Sequence, residues 1–203
     1  LASIVDFKGL FEKESLIGLN VTKPYKESII PYLDKLSDEA KKIGAVNCIK
    51  LENNQLVGYN TDSLGFKNSL LPLLKEETKN IKALVLGSGG ASKAISHALN
   101  DLGIIFKIVS RKGNFNYHDL DRSIMQKYQL IVNTTPLGTY PKIEELPKIP
   151  YKYTCEKHLF YDLVYNPEIS AFLRQGLKRN ASIKNGLQML HIQAEKSWEI
   201  WNS

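Results

Sequence analysis

Few folds accept the order of elements that the chain carries between residues 81 and 110. Residues 81–86 are an apolar run of strand length, 90–102 carry a helical pattern, and 104–110 are a second strand. The first strand and the helix are joined by Gly87-Ser88-Gly89-Gly90-Ala91-Ser92, so the helix opens directly from a glycine-rich turn. A strand, such a turn, a helix and a strand within about 30 residues make a βαβ unit, which requires parallel strands. Glycines at 87, 89 and 90 let the backbone turn sharply and approach a pyrophosphate, whose charge then lies at the N-terminus of the helix. The plainer alternative is a tight turn with no ligand; the strand before and the helix after weigh against it. Residues 130–133 and 158–163 read as further short strands that alternate with helical or irregular stretches. The expected fold class is therefore α/β, with a parallel sheet covered by helices on both faces.

The end of the second strand, Val109-Ser110-Arg111-Lys112, qualifies the ligand. A site for NAD usually presents Asp or Glu there, to accept from the ribose hydroxyl. No acid is present in this stretch. A guanidinium and an ammonium both pair with phosphate oxygens, which points to the 2′-phosphate of NADP. The alternative is a solvated cationic turn.

Ahead of this unit, Gly18-Leu19-Asn20-Val21-Thr22-Lys23-Pro24-Tyr25-Lys26 reads as the end of a strand, 16–21, followed by a proline turn. The turn delivers Lys26 to a short helix, 26–33, bent at Pro31. Such junctions are where open α/β sheets place ligand-contacting groups, although a surface turn with ordinary lysines suits this segment equally well. Residues 1–17 carry Ile4, Val5, Phe7, Leu10 and Phe11 at helical spacing, which predicts an amphipathic helix ending near residues 12–15. Ser37 is an N-cap with Asp38 and Glu39 in the first turn, and that helix stops at Gly44. Residues 45–51 and 55–59 pair as a hairpin around Glu52-Asn53-Asn54, whose asparagines tolerate positive φ. Spacing alone does not establish that the hairpin brings Asn47 beside Asn60-Thr61-Asp62. A helix is predicted over 62–74, a polar run over 75–80 and a loop with three prolines over 140–150. The last helix, from residue 187 to 201, carries Leu187, Leu190, Ala194, Trp198 and Trp201 along one apolar stripe.

Composition narrows the partners. With 203 residues, 43% hydrophobic and 24% charged, the chain can bury a core as one large or two small domains. The net charge of +6 suggests nucleic acid, but basic residues are interleaved with acids, as in Lys35-Leu36-Ser37-Asp38-Glu39-Ala40-Lys41-Lys42. A mixed solvated surface is the better reading, with part of the cationic excess serving anionic ligands. Cys48 and Cys155 are too isolated for a disulfide framework or a zinc site, and His97, His118, His158 and His191 lack metal-ligand spacing, so no metal is expected. No apolar run approaches the ~18 residues of a membrane span and no signal peptide is evident, which places the protein in the cytoplasm by default.

Six motifs stand in one order: Asn-Val-Thr-x-Pro-Tyr-Lys at 20–26, Gly-Ala-Val-Asn at 44–47, Asn-Thr-Asp at 60–62, Gly-x-Gly-Gly-Ala-Ser at 87–92, Asn-Thr-Thr-Pro-x-Gly at 133–138 and Asn-Gly-Leu-x-Met-Leu-x-x-Gln-Ala at 185–194. Together they resemble the shikimate dehydrogenase family, from about Gly18 to the C-terminus. The resemblance implies NADPH-dependent, reversible reduction of 3-dehydroshikimate to shikimate, a step of aromatic amino acid biosynthesis. It implies two domains, an incomplete N-terminal α/β substrate domain (1–62 with 187–203) and a Rossmann-type NADP-binding domain (63–186). Lys26 and Asp62 match the family's catalytic pair; an ammonium there can stabilise the oxygen charge that hydride transfer develops and donate a proton. Burial favours the neutral amine and an adjacent carboxylate the ammonium, and the sequence does not choose between them. Lys23 occupies a variable position of the motif and reads as a surface lysine.

By the same resemblance Asn20, Thr22, Asn47 and Gln193 bond the polyhydroxylated ring, Tyr165 lies near substrate and nicotinamide, and Gly186 faces the carboxamide. Taken singly, each polar residue is as well explained as a satisfied buried group. Gly87, Ser88, Gly89, Gly90, Ala91 and Ser92, then Ser110, Arg111 and Lys112, then Asn133, Thr134 and Thr135, are the implied NADP contacts. The partner is a small molecule, with neither nucleic acid nor membrane, in a monomer or homodimer. A quinate-preferring relative and a cofactor-binding relative without turnover stay open, although the second has no need to keep both Lys26 and Asp62. Family members begin with a strand and a Ser-x-Ser motif for the substrate carboxylate, and neither is found in residues 1–203. The resemblance thus implies an upstream segment, and a chain beginning at Leu1 is expected to express poorly or to bind NADP without turning over shikimate.

Overall fold

The structure, a computed structural model, describes residues 4–13, 16–74 and 80–203. The helix end at 14–15 and the polar run at 75–79 lie outside the described residues. Nine strands form two sheets among the described residues. The larger contains β5 (Ala83–Leu86), β6 (Phe106–Val109), β7 (Leu130–Asn133), β8 (Leu159–Asp162) and β9 (Ser182–Lys184), in the order β6-β5-β7-β8-β9 and parallel throughout. Strands buried on both faces read as continuous apolar runs, and Ala83-Leu84-Val85-Leu86 is fully buried. Ala83 and Val85 pack with Phe66 and Leu70 of α3 (Asp62–Leu70) and with Ile95 and Leu99 of α4 (Gly90–Asp101). Leu84 and Leu86 face the other way, toward Met125 of α5 (Arg122–Lys127) and Phe172 of α6 (Ala171–Leu177). The helices on both faces agree with the βαβ reading, while α5, α6 and β9 carry no clear mark in the sequence.

The smaller sheet contains β1 (Gly18–Asn20), β2 (Lys35–Leu36), β3 (Cys48–Glu52) and β4 (Gln55–Tyr59), in the order β1-β3-β4-β2. Its hairpin turns on Asn53 and Asn54, both at positive φ (48° and 62°). Strand β3 begins at Cys48, three residues later than the sequence predicts, because the Val46 N–H leaves the ladder and bonds the Lys26 carbonyl at 2.7 Å. That bond also prevents the helix expected over 26–33. An α-helix needs the Lys26 carbonyl to accept from Ile30 N–H; Ile30 bonds Glu27 instead, at 3.2 Å, and the segment is a run of turns closed by a 3-10 turn at Ile30–Tyr32. Between them, α2 (Asp38–Ile43) follows its signals: Ser37 Oγ accepts from Ala40 N–H, and Gly44 closes the helix in the left-handed region. Near the N-terminus a 3-10 turn, Ile4–Phe7, leads into α1 (Lys8–Lys13), with Phe7 buried against the small sheet. The helix predicted over 62–74 ends at Leu70 and tightens into a 3-10 turn around Pro72.

The last helix, α7 (Leu187–Trp201), forms where periodicity places it but presents a different face. Trp198 is 63% exposed and Leu187 and Ala194 are also exposed, whereas Met189 and Ser197 are buried. The inward face carries polar groups with partners, so a purely apolar stripe misjudges it. Trp201 does face inward: its indole N–H bonds the Ile49 carbonyl at 2.9 Å, and the ring lies over Gly18. A Cβ at position 18 would overlap that ring and the Ile49 carbonyl. Gly18→Ala is therefore expected to destabilise the fold by about 1–3 kcal/mol, read as a lower Tm, with overpacking as the cause.

Candidate active site

Lys26 is fixed from its backbone, through the carbonyl bond to Val46, and from its tip, where Nζ lies 2.6 Å from Asp62 Oδ2. Asp62 is the first residue of α3, where the helix dipole favours a negative group. The helix is capped by Asn60, not by the residue next to it. Asn60 Oδ1 accepts from the N–H groups of Asp62 and Ser63 at 3.1 and 3.3 Å, and its Nδ2 bonds the Ala45 carbonyl. This leaves the side chains of Thr61 and Asp62 free to turn toward Asn47.

Asn47 joins the two sides. Its Oδ1 accepts from Thr61 N–H at 2.7 Å, which aims Nδ2 at Thr61 Oγ1 (2.8 Å), Asp62 Oδ1 (3.1 Å) and Gln193 Oε1 (3.1 Å). Gln193 is oriented by its own Nε2, which donates to the Leu190 carbonyl at 3.0 Å. Ser197 Oγ donates to the Gln193 carbonyl and lies 3.1 Å from Thr61 Oγ1. The hairpin thus does bring Asn47 beside Asn60-Thr61-Asp62, and α7 completes the cluster. Sequence reasoning missed Thr61 and Ser197 as members. Thr61 lay inside a recognised motif, whereas a buried serine in an amphipathic helix gives no signal.

A cavity of about 310 Å³ opens over this cluster. Asn20, Thr22, Lys26, Asn47, Asp62, Tyr165 and Gln193 all line it, with Gly186 and Ala91 from the residues matched to cofactor contacts. Asn20, Thr22 and Tyr165 are exposed at its rim; Lys23 is exposed and outside it.

The other cofactor candidates stand in a row along the C-terminal edge of the large sheet. Leu86 is paired with Val109 on one side and Asn133 on the other, so the three loops that follow are neighbours. Gly87, at φ 119°, bonds the Val109 carbonyl, and a Cβ there would run into Thr134 Oγ1. Gly89 is the N-cap of α4 with no side-chain cap and open space around it; Ser88 is exposed beside it. Ser92 Oγ, in the first turn of the helix, is buried without a partner. Open first-turn N–H groups, a glycine cradle and an orphan hydroxyl fit a pyrophosphate. Gly90 lies against the Lys26 side chain, and Lys93 pairs with Glu27 at 2.6 Å, so the glycine turn and Lys26 are held together. Ser110, Arg111 and Lys112 form the turn after β6, with Arg111 and Lys112 exposed. Thr134 Oγ1 bonds the Leu86 carbonyl and Thr135 Oγ1 bonds Asn133 Oδ1. Asn133 stands apart from this group, being fully buried with both ends of its amide engaged by protein.

A parallel sheet that ends in a glycine turn, facing a Lys–Asp pair across one cavity, defines an α/β oxidoreductase of the dehydrogenase class. Residues 2–49 match the family model described as the shikimate dehydrogenase substrate binding domain. A shikimate dehydrogenase (NADP(+)) of Clostridium beijerinckii is 43% identical over 194 residues, covering 91% of this chain and 71% of that protein. The crystal structure of shikimate dehydrogenase 1 from Peptoclostridium difficile superposes with a TM-score of 0.87 at 37% identity, over 98% of this chain and 76% of that one. That of Thermus thermophilus, in complex with NADP(H) and shikimate, superposes with a TM-score of 0.84 at 29% identity, over 98% and 77%. The chain belongs to the shikimate dehydrogenase family.

Proposed function

We propose that the chain interconverts 3-dehydroshikimate and shikimate with NADP(H), and that Lys26 and Asp62 carry the chemistry. The observation that supports this most is the 2.6 Å Lys26–Asp62 pair inside a cavity whose other polar walls are Asn20, Thr22, Asn47 and Gln193. Such a set suits a ring with several hydroxyls, because amides and hydroxyls both donate and accept. NADPH, when bound, supplies the hydride. Lys26 steadies the negative charge that then develops on the substrate oxygen and delivers the proton to it, while Asp62 holds the ammonium in place. Tyr165 and Gly186 border substrate and nicotinamide together, and the glycine turn 87–92 takes the pyrophosphate. Arg111 and Lys112 take the 2′-phosphate, with Ser110 beside them; Thr134 and Thr135 line the cofactor loop, and Asn133 supports it. Residues 1–62 with 187–203 act as the substrate domain and 63–186 as the cofactor domain, a division supported by the two separate sheets and by the packing of Trp201 on β3. Among the described residues no helix is long and apolar enough to cross a membrane; a biosynthetic role in the cytoplasm is the reading we adopt.

The test is a steady-state assay of the full-length protein with shikimate and with quinate, each with NADP+ and with NAD+. Shikimate with NADP+ should give the highest kcat/KM. A faster reaction with quinate would overturn the substrate assignment, and NADPH binding without turnover of either would overturn the catalytic one.

A further inference from the structure

Asp162 ends β8 with its side chain fully buried, opposite Asn133 in the parallel register. Its carboxylate receives three hydrogen bonds, none from a charged group. Oδ1 accepts from Asn133 Nδ2 at 2.9 Å and from Val164 N–H at 3.0 Å; Oδ2 accepts from Ser170 Oγ. All three donors are fixed. The Asn133 amide cannot turn over, because its Oδ1 takes the N–H and the hydroxyl of Thr135, at 3.0 and 2.6 Å. Val164 offers a backbone N–H. Ser170 Oγ accepts from Leu173 N–H as the N-cap of α6, which leaves its own hydrogen for Asp162. Burial pushes the Asp162 carboxyl up to about 6, and the three hydrogen bonds act against that rise. An ionised group in such a place weakens the fold, and an apolar residue of similar volume serves a purely structural corner at least as well.

What the carboxylate joins are the loop that follows β7 and the segment that carries Leu163 and Tyr165 into the cavity wall. Asn133 opens the loop whose Thr134 meets Gly87. Val164 lies between Leu163 and Tyr165 in the cavity wall, and its carbonyl accepts from Gly186 N–H at 3.3 Å. We propose that Asp162 is a positioning residue for the cofactor: by accepting from Asn133 and Val164 with one oxygen, it sets the spacing between loop 133–137 and the Leu163–Tyr165 wall. The proposal rests on the NADP(H) reading above and acts through those two residues, not on any reacting atom.

The test compares three variants of the full-length protein, reading NADPH Kd from cofactor fluorescence and kcat and KM for NADP+ from steady-state rates. Asp162→Ala takes the shared acceptor from all three donors, the Asn133 amide, the Val164 N–H and the Ser170 hydroxyl, and uncouples the loops. It should raise Kd and KM for the cofactor by about 20-fold or more, with kcat at saturation within about threefold of wild type. Asp162→Asn keeps a carbonyl oxygen for Asn133 and Val164 and gives up only the Ser170 bond, so the bridge through one oxygen survives; it should recover most of the affinity. A general loss of folding does not give this split, since it lowers the active fraction, and so kcat, at unchanged KM. Should Asp162→Ala fail to fold, Asn133→Ala removes one of the bridging donors and should raise Kd by about fivefold or more. An Asp162→Ala that folds and binds NADPH as wild type does would overturn the proposal, and so would an Asn133→Ala that does so where Asp162→Ala fails to fold. An Asp162→Asn as weak as Asp162→Ala would overturn it too, since charge and not bridging geometry would then be at work. A wild-type chain that bound no NADPH would overturn the functional reading and this proposal with it; the other outcomes bear on Asp162 alone.

Discussion

Lys26→Ala is expected to lower kcat by about 10²–10⁴ while KM for shikimate changes far less, because an ammonium facing a developing oxyanion acts mainly in the transition state. Folding should survive the change. The anchor that places residue 26 is its backbone carbonyl, bonded to Val46 N–H, and alanine keeps it. What is lost is the 2.6 Å contact with Asp62 Oδ2, while the Asn47 amide stays on the other carboxylate oxygen. Lys23→Ala is the control. Lys23 is exposed three residues earlier, outside the cavity, and its loss should be nearly neutral. Steady-state rates and thermal unfolding of both variants decide the matter. If Lys23→Ala proved crippling and Lys26→Ala mild, the assignment of the lysine would be reversed.

How far such a site is legible in a sequence depends on whether its signals are local. The glycine turn at 87–90, the Ser37 and Gly44 caps and the Asn53-Asn54 hairpin turn each need a special backbone conformation or a neighbouring partner, so the residue type reports them directly. The features that escape are decided by distant partners. Lys26 fails to open a helix because a residue 20 positions later, Val46, takes its carbonyl. Strand β2 is two residues, Lys35–Leu36, whose place is set by its register with Val57 and Gly58. The face of α7 is set by Gln193 and Ser197, whose partners Asn47 and Thr61 come from the other end of the chain. Periodicity weighs hydrophobicity alone, so it turned Trp198 inward and overlooked a buried serine. The motif resemblance supplied Lys26, Asp62, Asn47 and Gln193 as candidates; that Asn60 caps the helix and so frees Thr61 and Asp62 follows only from the three-dimensional arrangement.

Arg111→Asp should lower the preference for NADP+ over NAD+, measured as the ratio of kcat/KM values, by about 10²-fold or more, since a charge-assisted bond to the 2′-phosphate is replaced by repulsion. The position makes the effect specific. Val109, the last residue of β6, gives its carbonyl to Gly87 N–H, so the turn that follows stands one strand spacing from the glycine turn. A pyrophosphate held on α4 would bring the adenosine ribose within reach of Ser110-Arg111-Lys112. No acid stands in this stretch, and both cations are exposed. Arg111 also acts on the half-buried Tyr117 phenol: burial raises that group, and the guanidinium charge opposes the rise. An aspartate in its place can accept from a ribose hydroxyl, so activity with NAD+ should hold or increase while activity with NADP+ falls. Lys112→Ala, which removes one charge and adds none, should shift the ratio less. The comparison needs only kcat/KM with the two cofactors at fixed shikimate and ionic strength, since salt screens an exposed pair. An Arg111→Asp variant that kept its preference for NADP+ would mean that the 2′-phosphate is met elsewhere, and the cationic turn would be the solvated one.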